Sequence, residues 1–318
     1  MPSESRSNLK GVLFALLAFA LFATHDVAVK ILGASYATFQ IIFFSVLLAF
    51  PLVMLMLMRD KSQATLIPIH PWWTALRTIA AIVTGMSAFY AFSVLPLAQV
   101  YTILFAMPLL VTVLSIPVLG EKVGLHRWLA VALGLVGVLV VLRPGSAELG
   151  LGHGAALLAA FGGALASIIV RRIGREERSA VLMLYPMMAN FVLMACVLPF
   201  VYVPMPIEHL GLVAVMAVFA FTAGLLLIAA YNAGDAAVVA PMQYSQIIWA
   251  AFYGILFFNE QTNSETWIGA GIVISSGVYI VLREASGIRS LHRPVLRGRQ
   301  RPDTGTQLRI QVPDPDHS

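Results

Sequence analysis

Residues 95–143 read LPLAQVYTILFAMPLLVTVLSIPVLGEKVGLHRWLAVALGLVGVLVVLR, and residues 234–283 read GDAAVVAPMQYSQIIWAAFYGILFFNEQTNSETWIGAGIVISSGVYIVLR. At an offset of 139 positions Ala98 falls on Ala237, Val100 on Val239, Glu121 on Glu260 and Trp128 on Trp267. After one inserted residue, Gly137, Val138, Val141, Leu142 and Arg143 fall on Gly277, Val278, Val281, Leu282 and Arg283. Each copy is an apolar run, a short polar turn carrying Glu and Trp, and a second apolar run rich in Gly, Val and Leu. At about 1.5 Å per residue, such runs cross a hydrocarbon core of about 30 Å. The repeat therefore predicts a hairpin of two membrane-spanning helices, present twice.

Composition leads to the same class. Hydrophobic residues make up 59% of the chain and charged residues 11%, against about 25% charge in a soluble domain. No water-soluble core hides that much apolar surface. The 24 glycines lie largely in apolar segments, as suits close helix contacts in lipid. The single cysteine, Cys196, excludes an intramolecular disulfide and a Cys-based metal site. Arg6 and Lys10 followed by Ala18-Phe19-Ala20 imitate a cleavable signal, but the run continues as the first of many spans.

Apolar runs follow at 10–32, 36–58, 72–94, 98–119, 127–142, 151–170, 180–203, 209–231, 237–258 and 266–282, which predicts an all-α membrane protein with ten transmembrane helices. With the N-terminus inside, the inner segments hold 17 of the 20 Lys and Arg. The bias of basic residues toward the inside then places both termini in the cytoplasm. The ten spans divide into two sets of five near 145–152, GSAELGLG. An odd number of spans per set inverts the second relative to the first, and inverted repeats around a midplane site suit alternating access. The expected organisation is a loose cytoplasmic segment at 1–8, a first five-helix repeat at 9–143, a second at 151–283, and a tail at 284–318. The tail carries Pro294, Pro302, Pro313, Pro315 and six arginines, a composition that predicts cytoplasmic disorder, with its arginines near anionic lipid heads.

Leu95-Pro96-Leu97-Ala98, Pro108-Leu109, Leu119-Gly120-Glu121-Lys122 and Trp128 in the first half, with Asn259-Glu260 and Trp267 in the second, resemble the drug/metabolite transporter superfamily, specifically its EamA-like families. The similarity covers about residues 9–284. It implies a multi-pass carrier with a central cavity and a small-molecule substrate, without an ATPase domain, prosthetic group, cofactor or nucleic-acid partner. It also implies a lipid bilayer, the bacterial inner membrane, as the surroundings; oligomeric state stays open, a monomer being sufficient. His25-Asp26-Val27-Ala28-Val29-Lys30 in the first span and Leu76-Arg77 in the third look most like carriers described as S-adenosylmethionine or riboflavin transporters. Relatives often carry Arg after the paired aromatics of the second span; here Phe43-Phe44 is followed by Ser45.

Of the acidic residues only Asp26 sits well inside a span, roughly 24 Å from the cytoplasmic end of the first helix. An ionisable group at that depth costs at least about 2.5 kcal/mol unless it is paired or wet. Two readings fit: a proton-accepting or cation-contacting group at the outer end of a cavity, or a local ion pair with Lys30 at i+4, His25 pointing about 100° away. Arg77 is the only deep base and has two readings as well, a contact for a substrate anion or packing with snorkelling toward lipid phosphates. Gln40 matches the depth of Asp26. The ninth span offers a cavity wall, because Gln243 and Gln246, and Gln246 and Trp249, stand at i, i+3, with Tyr244 and Ser245 between. Tyr101, Thr102 and Phe105 are the approximate counterparts in the fourth span, with Pro108 able to kink it. Ser87 and Tyr90 share a face of the third span, and Tyr185, Pro186 and Asn190 extend the set in the seventh. Aromatic faces beside amides suit a flat, partly polar solute, though the same residues also serve as interhelical glue. The substrate-binding set is thus Gln40, Arg77, Tyr90, Tyr101, Gln243, Tyr244, Gln246 and Trp249, with coupling at Asp26. Glu121 and Glu260 suggest helix capping or a hinge.

His126 and His153 have no spacing that makes a metal site, and no nucleotide-binding or hydrolase motif occurs. The expected function is a secondary active or facilitative transporter of a small organic metabolite (riboflavin, S-adenosylmethionine or an amino-acid-like solute), one repeat rocking against the other. An exporter of amino acids or toxic metabolites is the alternative on the same fold. An intramembrane lipid-processing enzyme would need nucleophile, base or metal ligands clustered at one depth, which the scattered ionisable residues do not provide.

Overall fold

The computed structural model describes residues 2–58, 66–121, 123–143, 149–174, 176–234 and 236–285. Every regular element among them is helical: α1 (Pro2–Gly33), α2 (Thr38–Met58), α3 (Pro71–Val94), α4 (Leu97–Leu104), α5 (Met107–Leu119), α6 (Leu125–Leu142), α7 (Leu151–Ile173), α8 (Ser179–Val201), α9 (Ile207–Ala233), α10 (Ala236–Val239), a 3-10 turn (Ala240–Tyr244), α11 (Ser245–Phe258) and α12 (Ser264–Ala285). Beyond residue 285 the tail lies outside the described residues. The segment expected to be loose at the N-terminus continues α1 from Pro2.

Eight helices among the described residues are long and apolar enough to cross a membrane, Leu97–Leu119 counting as one despite its internal break. That break has a covalent cause. Pro108 lacks the N–H that would bond Leu104 and its ring crowds the Leu104 carbonyl, so α4 stops at Leu104 and α5 starts at Met107. Pro241 acts likewise on the ninth predicted span, which is divided into α10, the 3-10 turn and α11. The tenth predicted span is α12, whose described stretch is not among the eight.

Helices approach closely where side chains are small, since helix pairs in lipid gain from van der Waals contact and not from hydrophobic exclusion. The most extensive pairings are α1 with α9, α3 with α7, α6 with α12, α5 with α7 and α2 with α8. Ala15, Ala18, Ala223 and Ala230 are fully buried where α1 meets α9. A side chain on Gly162 of α7 would meet the Thr84 hydroxyl at 2.7 Å and the Ala80 carbonyl at 3.1 Å, and one on Gly269 of α12 would lie 2.6 Å from the Gly137 carbonyl of α6. Large apolar side chains such as Leu13, Leu133, Phe200, Ile248 and Ile255 face outward, a surface that only lipid solvates well.

The two Glu turns share one construction. α5 ends on Gly120 at φ 68°, and α11 ends on Asn259 at φ 51°, both left-handed caps. The next residue then donates back six positions, Glu121 N–H to the Ser115 carbonyl at 3.3 Å and Glu260 N–H to the Gly254 carbonyl at 3.0 Å. Each reversal turns a carboxylate back toward the bundle.

Candidate functional site

A cavity of about 240 Å³ lies between α1, α2, α3, α8 and α9. Phe22, Ile42, Val46, Phe89, Met183, Met187 and Phe221 make most of its wall apolar, while His25, Ser45, Arg77, Asn190 and Tyr231 are its polar members. Leu182 and Tyr231, in the first turn of α8 and the last of α9, mark one end. His25 marks the other, about 12 Å along α1 from Gly33. Helix ends contribute on one side of the bundle only, so the cavity extends from the middle toward the end where α2 and α9 finish and α3 and α8 begin.

At the His25 end the wall is backed by a polar network. His25 Nδ1 lies 2.7 Å from Asp26 Oδ1, the Tyr101 hydroxyl donates to the other Asp26 oxygen, and Gln246 Nε2 donates to the Tyr101 hydroxyl at 3.3 Å. All four residues are buried. The His25 ring stands edge-on to Phe89, centroids 5.9 Å apart, which holds the imidazole between network and cavity. Asp26 is therefore partnered across the bundle through Tyr101 and not by Lys30.

Lys30 instead pairs with Glu260 at 2.8 Å and donates to the Leu95 carbonyl, with its cation 5.3 Å from the Phe258 ring centre. Glu260 also accepts the Leu97 N–H at 3.1 Å. It caps a helix, as its position suggested, but the capped helix is α4 of the other half. Glu121 pairs with Arg171 at 2.8 Å.

The nine residues singled out from sequence are distributed over several environments. Arg77 lines the cavity, buried, with its guanidinium donating to the Leu182 carbonyl. Asp26, Tyr101 and Gln246 form the network behind His25. Gln40 is fully buried and exchanges two hydrogen bonds with the Val203 backbone, at 2.7 and 2.9 Å. Tyr90 faces outward. Gln243 and Tyr244 lie in the 3-10 turn, the Tyr244 ring packing at 5.0 Å on Phe105. Trp249 stacks on Tyr253 at 6.1 Å. Gln40, Tyr90, Gln243, Tyr244 and Trp249 are outside the lining of this cavity.

His25, Ser45, Phe221 and Tyr231 line it without having been singled out for binding, and so do Pro186 and Asn190, two of the three residues that extended the set in the seventh span. The available signal was a lone polar residue deep in each of two apolar runs, Ser45 in α2 and Asn190 in α8. Among the described residues no three His, Cys, Asp or Glu gather as a metal site.

Long apolar helices enclosing a cavity with few polar groups define a multi-pass membrane carrier. Residues 9–143 and 150–283 each match the EamA-like transporter family, and the chain belongs to that family. A Rickettsia prowazekii protein named S-adenosylmethionine uptake transporter is 24% identical over 293 residues, 92% of this chain and 99% of that one. A riboflavin transporter of Rhizobium johnstonii is 27% identical over 222 residues, 68% of this chain and 72% of its own. A pseudopaline exporter of Pseudomonas aeruginosa is 24% identical over 266 residues, 83% of this chain and 93% of its own. One solved crystal structure shares the fold with a TM-score of 0.58 at 17% identity, covering 90% of this chain and 100% of that one.

Proposed function

We propose that this protein moves a small organic metabolite across the bacterial inner membrane by alternating access, its ten helices forming two inverted five-helix repeats with both termini cytoplasmic. The observation that carries the reading is the cavity itself, which both halves of the chain line.

The pairing of loops supports the crossing of spans two to nine. Lys30 stands in the last turn of the first span and Glu260 follows the ninth; Tyr36 and His209, whose side chains meet at 2.6 Å, flank spans one and eight. Arg143 and Glu265 pair beyond the fifth span and before the tenth. All of these contacts join segments reached after an odd number of crossings. Glu177 accepts the Ile69 and His70 N–H groups at 3.2 and 3.0 Å, and Arg171 meets Glu121; these join segments reached after an even number. Failure of any one of spans two to nine to cross would put at least one of these partners on opposite faces. The helix pairings also map onto themselves when the halves are exchanged: α1 with α9 becomes α7 with α3, while α2 with α8 and α6 with α12 are unchanged.

The apolar wall suits an aromatic or otherwise flat body, and Arg77, Asn190 and Ser45 are the groups available to a polar end. Relatives are named for uptake of S-adenosylmethionine, for riboflavin and for pseudopaline export, so the family accommodates both directions. Asp26, the one carboxyl inside a span and away from its ends among the described residues, is where we assign coupling to protons.

The test is thermal unfolding of the detergent-solubilised protein with riboflavin, S-adenosylmethionine, aromatic amino acids and nucleosides. A true ligand at about 100 times its Kd adds about 2.7 kcal/mol to the folded state. A concentration-dependent rise for one compound, followed by its uptake into liposomes, is the expected result. A compound that raises the unfolding temperature but never crosses the liposome membrane would contradict the carrier reading.

A further inference from the structure

The bodies that pack most closely are not the two sequence halves. α1, from the first half, packs on α9 and α11 of the second; α7, from the second, packs on α3 and α5 of the first. Each half thus lends its first helix to the other, giving two three-helix bodies: α1, α9 and α11, and α3, α7 and the α4–α5 span. An ion pair secures each lent helix, Lys30 of α1 to Glu260 after α11 and Arg171 of α7 to Glu121 after α5, both at 2.8 Å with side chains no more than 13% exposed.

Between the bodies the contacts are α1 with α3 and α4 with α11, together with the bonds of Lys30 to the Leu95 carbonyl and of Glu260 to the Leu97 N–H. The Asp26–Tyr101–Gln246 network lies there, since Asp26 and Gln246 belong to one body and Tyr101 to the other. Phe105 against Tyr244 crosses the same seam. On the far side of His25 the bodies are parted by the cavity, with Arg77, Ala81, Gly85 and Phe89 of α3 facing Phe22 of α1 and Ala217 to Tyr231 of α9. The seam is closed at Tyr101 and open at Arg77.

We infer that Tyr101 is a positioning residue of the transport cycle: its hydroxyl, bridging Asp26 and Gln246, latches the two helix-exchanged bodies together on the closed side of the cavity. When the cavity changes sides the latch opens, Lys30 and Glu260 also release Leu95 and Leu97 of the other body, and each ion pair stays intact within its own body. This rests on the carrier reading and deepens it by naming the moving parts.

The experiment uses full-length protein carrying Cys196→Ser and one reporter, Ala98→Cys, three residues before Tyr101 and buried, or Ser45→Cys in the cavity. A membrane-impermeant thiol reagent is applied from each side. Tyr101→Phe, which keeps the ring packed on Phe92 at 5.3 Å, is expected to raise the labelling rate at position 98 from the outer side about tenfold and to lower that at position 45 from the inner side, as loss of a buried bond to a carboxylate biases a two-state equilibrium. Gln246→Leu shifts both rates in the same directions but less. Unchanged rates in Tyr101→Phe, with position 45 still labelled in the parent, would overturn the latch and leave the carrier standing. Failure to label position 45 from either side would overturn both. A bifunctional thiol reagent joining Lys30→Cys to Glu260→Cys is expected to leave the Tyr101→Phe response intact; abolition of that response by the cross-link would show a gate there and overturn the exchanged bodies.

Discussion

Replacing Glu260 by alanine is expected to lower the free energy of unfolding by about 3 kcal/mol, the range for breaking a largely buried ion pair by removing one partner. Lys30 and Glu260 are each 13% exposed and 2.8 Å apart, so the substitution strands an ammonium group between helices at the membrane's edge. It also removes the acceptor of the Leu97 N–H, an unsatisfied donor at the start of α4. Exposed pairs behave differently, contributing about 0.2–1 kcal/mol. The double substitution Lys30→Met with Glu260→Met should recover most of the loss, because it removes both charges and keeps apolar volume. Thermal unfolding of the three proteins in one detergent separates the cases. A loss below about 0.5 kcal/mol in Glu260→Ala would mean that Lys30 reaches water unaided.

Filling the cavity is the second large effect. Gly85 of α3 lines it, and a Cβ at that position would meet no atom within 4 Å. Gly85→Trp should therefore place an indole in the space that a solute must occupy, without overpacking the helix contacts. Transport is expected to fall below about a tenth of the parent rate, because an interior packed to native density admits no further solute. The unfolding temperature is expected to hold or rise, since apolar surface facing an open space becomes covered. Uptake at the parent rate by a folded Gly85→Trp protein would mean that the solute travels elsewhere.

These expectations rest on contacts of very different visibility in the chain. The hairpins were legible because their signals are local: two apolar runs, a turn, and Glu and Trp at a fixed offset. The left-handed caps at Gly120 and Asn259 and the matched hydrogen bonds of Glu121 and Glu260 show why that turn recurs. The break at Pro108 was legible for the same reason. The break at Pro241 was not: the expected single ninth helix is divided, with Gln243 in the 3-10 turn and Gln246 and Trp249 in α11.

The cavity was harder to read, because its wall is mostly apolar. Phe22, Val46 and Leu182 face it, yet in a sequence they look the same as residues facing lipid. Lys30 at i+4 from Asp26 was the natural local partner, but Glu260, 230 positions away, takes it. His25, one residue from Asp26 and turned from its face, nevertheless reaches the carboxylate, Nδ1 lying 2.7 Å from Oδ1. Partners lent between halves leave no periodic mark on either half.

The most direct test of transport through this cavity is protection of Ser45→Cys, in the Cys196→Ser background, by the ligand that raises the unfolding temperature. Inside-out vesicles are treated with an impermeant thiol reagent across a range of ligand concentrations. Labelling from the cytoplasmic face is expected to slow as ligand saturates, with a midpoint equal to the Kd from thermal unfolding. Labelling that is indifferent to saturating ligand would contradict transport through this cavity.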